Sequence, residues 1–246
     1  MSTEGEHAPS NRLPADAQYA WLGFYFGVHF HQPIKLTSKD GHALAAEFNK
    51  HWEIDQVNLK SDTWTFVSSR EGFRIVITEG QLELHSDLPG QKQERYDVHF
   101  QTVLCCFEQQ FHPQIILGSK AMVCGLLDID GDARTFLAQS VLRVSQTRLD
   151  PLTRPIHLLG LRIYFPAYEV AGGGEGKKGS DWDVDVRLES YMSDPRKLFV
   201  RADATWKEPK PWDTKSIEEV VGRLSVVSDY VGLEIRRFLE HENHTQ

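Results

Sequence analysis

Chemistry in this chain would have to come from a few polar clusters, and the most suggestive is Asp128-Ile129-Asp130-Gly131-Asp132. Carboxylates at alternate positions of a strand end project to one side, where they can grip a divalent cation through oxygen ligands. The run departs from the calcium-binding loop. There a glycine follows the third acidic position and a glutamate closes the site; here Gly131 precedes Asp132, and Gln139 stands at the closing position. A solvated strand end leading into a helix cap accounts for the same residues. The glycine-rich stretch from Gly172 to Ser180 has the look of a phosphate loop. However, Ala171 occupies the position of its first required glycine, Lys178 rather than Ser or Thr follows Lys177, and a strand comes next. It reads as a flexible hairpin loop. His29 and His31 share a strand face and offer two imidazoles, with no further ligand supplied locally. Cys105 and Cys106 fall mid-helix, away from the bases and helix N-termini that lower a thiol pKa, and read as packing residues. No serine lies in a GxSxG elbow and no HExxH frames a metal. The expectation is therefore no catalytic residue and no cofactor, with Asp128, Asp130 and Asp132 as the candidate metal ligands.

The elements that would position these residues follow from periodicity. Leu22, Phe24, Phe26, Val28 and Phe30 alternate with Gly23, Tyr25, Gly27 and His29, the period of a half-buried strand. Leu44, Phe48 and Trp52 predict a helix over 41–52 entered through Asp40. Runs at 63–69, 73–79 and 81–86 predict an antiparallel meander, and Tyr96, Phe100, Val103, Leu104, Phe107 and Phe111 predict a helix stopped by Pro113. A strand at 115–129 and a helix at 131–144 follow, then strands at 156–165, 182–191 and 198–206. A helix over 214–240 closes the order, with Ile217, Val220, Val221, Leu224, Val227, Val231, Ile235 and Phe238 on one stripe. Each half then reads strand, helix, three strands, helix. The expected fold is α+β: two such repeats, 19–113 and 114–241, forming antiparallel sheet that can join into one curved surface with helices on one face. Polar, Pro-containing residues 1–18 are expected to be a disordered tail, and 242–246 a second short one.

Composition narrows the function classes. Against 27 Lys+Arg stand 35 Asp+Glu, for a formal charge of -8. The deficit is spread over both halves, with 9 basic and 15 acidic residues in 1–112 and 18 and 20 in 113–246. Neither half is a basic domain, so nucleic acid is a disfavoured partner. Three cysteines, two of them adjacent, make neither a disulfide framework nor a CxxC knuckle, and point to a reducing compartment. With no basic start leading into an apolar core and no long apolar run, the expected location is the cytoplasm, with no membrane partner.

The second half, from GLRIYFPAYE through VDVRLESYMSDPRKLFVRADATW to VVSDYVGLEIRRFLEH, is similar to a sporadically distributed family of uncharacterised bacterial α+β proteins of about this length. The resemblance implies packing patterns and assigns no residue a role. The element order resembles one repeat of the TATA-binding-protein fold.

These features favour a non-catalytic binding or adaptor protein, a subunit of a bacterial multi-protein system, whose partner is another protein or a second copy. A defence-type system is one setting for it. Trp21, Tyr25, Trp206 and Trp212 are the aromatics expected at partly covered, partner-facing positions. Ile235, Phe238 and Leu239 at the end of the closing helix are expected either to face a partner or to hold the halves together. The alternatives are a nucleic-acid binder using the sheet, with Trp21, Tyr25, Tyr164 and Tyr191 stacking on bases, and a divalent-metal enzyme centred on Asp128, Asp130 and Asp132.

Overall fold

The computed structural model describes residues 12–86, 93–149, 156–168 and 180–240. The strands are β1 (Ala20–Phe30), β2 (Gln56–Leu59), β3 (Trp64–Ser68), β4 (Phe73–Ile77), β5 (Gln81–Ser86), β6 (Ile115–Asp128), β7 (Gly160–Phe165), β8 (Trp182–Ser190), β9 (Lys197–Trp206) and β10 (Lys210–Pro211). They form a single antiparallel ten-stranded sheet in the order β2-β3-β4-β5-β1-β6-β9-β8-β7, with the short β10 pairing β6. The helices are α1 (Ser38–Phe48), α2 (Gln93–Phe111), α3 (Ala133–Phe136), α4 (Gln146–Leu149), α5 (Thr214–Asp229) and α6 (Arg236–Glu240). π-helical turns extend α3 over Leu137–Val141 and join α5 to α6 over Tyr230–Ile235. The fold is α+β. No helix among the described residues is long and apolar enough to cross a membrane.

One face of the sheet carries the core. Phe24, Phe26, Val28 and Phe30 of β1 are at most 3% exposed, and Ile75, Leu84, Val123, Val186, Val200 and Ala202 continue this layer across the neighbouring strands. Aromatic rings fasten the helices to it. Phe100 of α2 stacks on Phe26 at 4.1 Å, Phe107 meets Phe30 at 5.1 Å, and Phe48 of α1 meets Phe66 edge-on at 5.2 Å. The Tyr96 hydroxyl donates to the carbonyls of Leu84 at 2.7 Å and Phe24 at 3.2 Å, spanning the β5–β1 seam.

Several elements differ from their expected form. α1 begins at Ser38, because Thr37 rather than Asp40 is its cap and accepts from the Asp40 amide. The first half has four strands after its helix, since the polar stretch Gln56–Leu59 adds β2 at the sheet edge. The helix expected over 131–144 keeps one α-turn and a π-helical turn. Residues 12–18, expected within the tail, are packed: Leu13 and Ala17 are 4% and 6% exposed. Arg236 donates to the carbonyls of Ala15 at 2.6 Å and Ala17 at 2.8 Å, and Tyr19 donates to the Val231 carbonyl at 3.3 Å. The last turns of the closing helix therefore lie against residues 13–19. Residues 1–11, 242–246 and the glycine-rich loop at 172–179 lie outside the described residues.

A buried polar pair that joins the turn after α1 to α2 has a measurable pH signature. Trp52 Nε1 donates to His99 Nδ1 at 3.1 Å, and His99 is 7% exposed. Burial holds its imidazole below the ordinary pKa, partly opposed by Glu71 and aided by Arg95. Below about pH 6.5 the unfolded chain takes up a proton that the folded chain refuses, so stability falls with pH until the folded value is reached. Urea midpoints measured from about pH 7.5 to about pH 5 should show this acid limb. His99→Gln should flatten it only in part, because His29 is depressed in the same direction, chiefly by burial and then by Lys120.

Candidate binding face of the sheet

Among the described residues, α1, α2, α3 and α5 pack on the core face. The opposite face carries polar and aromatic side chains in cross-strand rows. One row runs Val67, Arg74, His85, Tyr25, Met122, Asp203, Asp185, Tyr164 from β3 to β7. A second runs Thr65, Val76, Glu83, Gly27, Lys120, Thr205, Asp183, and a third runs Gly23, Cys124, Arg201, Arg187, Arg162. The close approach at Gly23 needs glycine: a Cβ there would lie 2.6 Å from the Ser86 carbonyl oxygen.

Several charges on this face are paired. Arg201 spans both oxygens of Asp203 at 2.7 Å. Arg162 Nε meets the two Asp185 oxygens at 2.9 and 3.0 Å, and Arg187 lies 3.7 Å from the same carboxylate. Hydrogen bonding from Arg162 holds Asp185 below the usual carboxylate range, against a smaller opposing effect of burial. In the other half, Tyr25 and His85 both bond Glu83 at 3.0 Å. The hydrogen bond from His85, more than that from Tyr25, lowers the Glu83 pKa, while burial and then Glu83 raise that of Tyr25. Solvent screens such partly exposed pairs, so together they define a charge pattern more than a source of stability.

The expected partner-facing residues divide on this frame. Tyr25 stands half-buried in the middle of the open face. Trp21 does not, because β1 shifts register between Trp21 and Gly23 and the bulge turns it to the helical side. There it stacks on Tyr19 at 5.2 Å and tilts against Phe24. Trp206 and Trp212 are core residues, 3% and 7% exposed, the first under Arg223 and the second against Phe107. Ile235 and Leu239 are also buried, at 3% and 4%, whereas Phe238 is 44% exposed. Leu239→Ala should therefore cost about 2–5 kcal/mol in chemical denaturation. Phe238→Ala should cost about 0.5 kcal/mol or less.

The three aspartates do not converge on one cation position. Asp128 pairs with Lys197 at 3.2 Å, Asp130 bridges the Arg12 backbone and meets its guanidinium at 3.4 Å, and Asp132 caps α3 through the Arg134 and Thr135 amides. The hydrogen bond from Arg134 holds Asp132 below the usual carboxylate range. Of the cysteines, Cys106 is buried on α2, and burial, then Glu47 and Cys105, push its thiol up to about 11. It is a neutral thiol at pH 7 and a poor nucleophile. The open face could be read in part from the alternation of β1, β8 and β9. The cross-strand rows could not, since register across the β1–β6 seam has no local sequence signal. No family model matches the chain, and it has no match among curated proteins.

Proposed function

We propose that this chain is a non-catalytic binding protein that presents the face of its sheet opposite α1, α2 and α5 to a protein partner, as a subunit or adaptor. The observation that carries this reading is the paired, mixed-sign charge pattern around Tyr25 on that face. Arg162, Arg187 and Arg201 stand beside Asp185 and Asp203, and His85 beside Glu83. A polyphosphate would meet a carboxylate next to each of these cations, which disfavours the counterion-release binding that nucleic acids need. A protein surface with alternating charges of its own would be complementary.

The same reading takes the chain as two structural repeats of the TATA-binding-protein kind. Strand order supports it. β1 and β6 are central neighbours, and each is followed by a helical segment, a meander whose last strand returns to pair with it, and a covering helix. The second meander is one strand shorter.

The test is affinity capture by the full-length protein and by a variant carrying Arg187→Glu and Arg201→Glu, with Phe238→Ser as a control on the helical side. A partner retained by wild type and control but lost by the double variant supports the proposal. A partner that binds the double variant equally well overturns it. So does single- or double-stranded DNA or RNA bound with a steep salt dependence and released by the same substitutions, which assigns the face to nucleic acid.

A further inference from the structure

Away from the open face, three different metal-ligating groups meet where the end of α1 touches α2. The ligand atoms of Glu47, His51 and Cys106 all lie within 4.8 Å of one another. Glu47 and His51 are one helical turn apart, and the backbone keeps winding past Phe48: the amides of His51 and Trp52 both donate to the Phe48 carbonyl, at 2.9 and 3.0 Å. Their side chains therefore project from the same side. Cys106 presents its sulfur from the facing helix and is 3% exposed. Beside them lies an open recess of about 290 Å³ lined by His51, Val98, Gln101, Thr102, Cys106 and Gln109 among others.

We propose that Glu47, His51 and Cys106 form a three-ligand site for a zinc-class divalent cation, with the fourth coordination position open to the recess. Carboxylate, imidazole and the Cys106 thiolate, formed as the incoming ion displaces the thiol proton to solvent, together suit a borderline-soft ion, whereas calcium and magnesium call for oxygen ligands alone. A tetrahedral zinc with bonds of about 2.0–2.3 Å holds its ligand atoms roughly 3–4 Å apart, so small side-chain rotations close the cluster. The backbones that carry the ligands are already fixed without an ion. Gln110 Nε2 donates to the Asp40 carbonyl at 2.7 Å and ties α2 to α1, while the Trp52–His99 bond pins the turn next to His51. The competing cation is Lys50, whose ammonium pairs with Glu47 and must swing into solvent, where 65% of its side chain already lies. This site is independent of the proposed binding face.

The experiment uses full-length protein stripped with a chelator and titrated with Zn²⁺ by calorimetry and with Co²⁺ by absorption. The expected result is one equivalent bound, with a thiolate-to-cobalt charge-transfer band. Cys106→Ser should abolish the band, and Cys105→Ser should keep it. Glu47→Gln and His51→Ala should each weaken Zn²⁺ by about tenfold or more, the least expected when a direct ligand is lost. These two positions are half-buried and exposed, so the variants fold even if the Cys106 substitution does not. Zn²⁺ should also raise the melting temperature of wild type, and raise that of Glu47→Gln by clearly less at the same concentration. Absence of heat and of the band overturns the proposal. So does a band that survives Cys106→Ser and disappears with Cys105→Ser, or affinity indifferent to both Glu47→Gln and His51→Ala.

Discussion

Phe100→Ala should lower the stability of this protein by about 3–5 kcal/mol, measured as a shift of the urea midpoint at unchanged slope. Phe100 is fully buried and its ring lies almost parallel to that of Phe26, 5° between planes, on the strand nearest the middle of the sheet. Phe26 is in turn stacked on Tyr96 at 5.9 Å. Truncation removes the transfer free energy of the ring and leaves a cavity between two rigid layers, α2 above and β1 below, that cannot collapse to fill it. Phe100→Leu, which retains most of the volume, should recover more than half of the loss.

Trp206→Ala should be comparably damaging, at about 3–5 kcal/mol, and for a reason that separates core from interface. Trp206 stacks on Trp182 at 5.3 Å and carries the Arg223 guanidinium over its ring at 4.9 Å. Arg223 is only 4% exposed, donates to Ser119 Oγ at 2.5 Å and reaches Glu219 at 3.2 Å. Removing the indole strips a buried cation of its aromatic face while its charge stays in place. Trp206→Phe keeps a π-surface beneath it and should restore most of the stability. Were Trp206 instead a partner-facing anchor, both variants would unfold like wild type and differ only in binding.

Much of this architecture is legible in the sequence, and the failures have physical causes. The alternation in β1, β8 and β9 and the apolar stripes of α2 and α5 are strong because each element buries one face. β2 is invisible for the opposite reason: Gln56 to Asn58 are exposed at the sheet edge and pair through their backbone alone. Trp21 is misread because one extra residue in a bulge moves its side chain across the sheet, a change that periodicity cannot register. For Trp206, its alternation with Val200, Ala202 and Ala204 is the better guide than the general enrichment of tryptophan at interfaces. The Asp128–Asp132 run is explained by where a strand stops and a cap begins. The Glu47, His51 and Cys106 cluster is not a sequence motif at all, since its third member comes from a helix that only tertiary packing brings near.

The contact between residues 13–19 and the closing helix joins positions more than 200 apart: the Tyr19 hydroxyl meets Val231 across a separation of 212, and Arg236 meets Ala15 across 221. A ribosome makes one side of this seam more than 200 residues before the other. Until residues 231–236 emerge, the Ala15 and Ala17 carbonyls and the Tyr19 hydroxyl lack these partners, and the β6 flank of β1 is unpaired until residues 115–128 emerge. The nascent chain can assemble the meander of β3, β4 and β5 against β1 early, but this seam waits for residues 231–236. Arrest of synthesis just before residue 230 should therefore leave residues 13–19 open to a protease, a vulnerability that residues 231–240 remove.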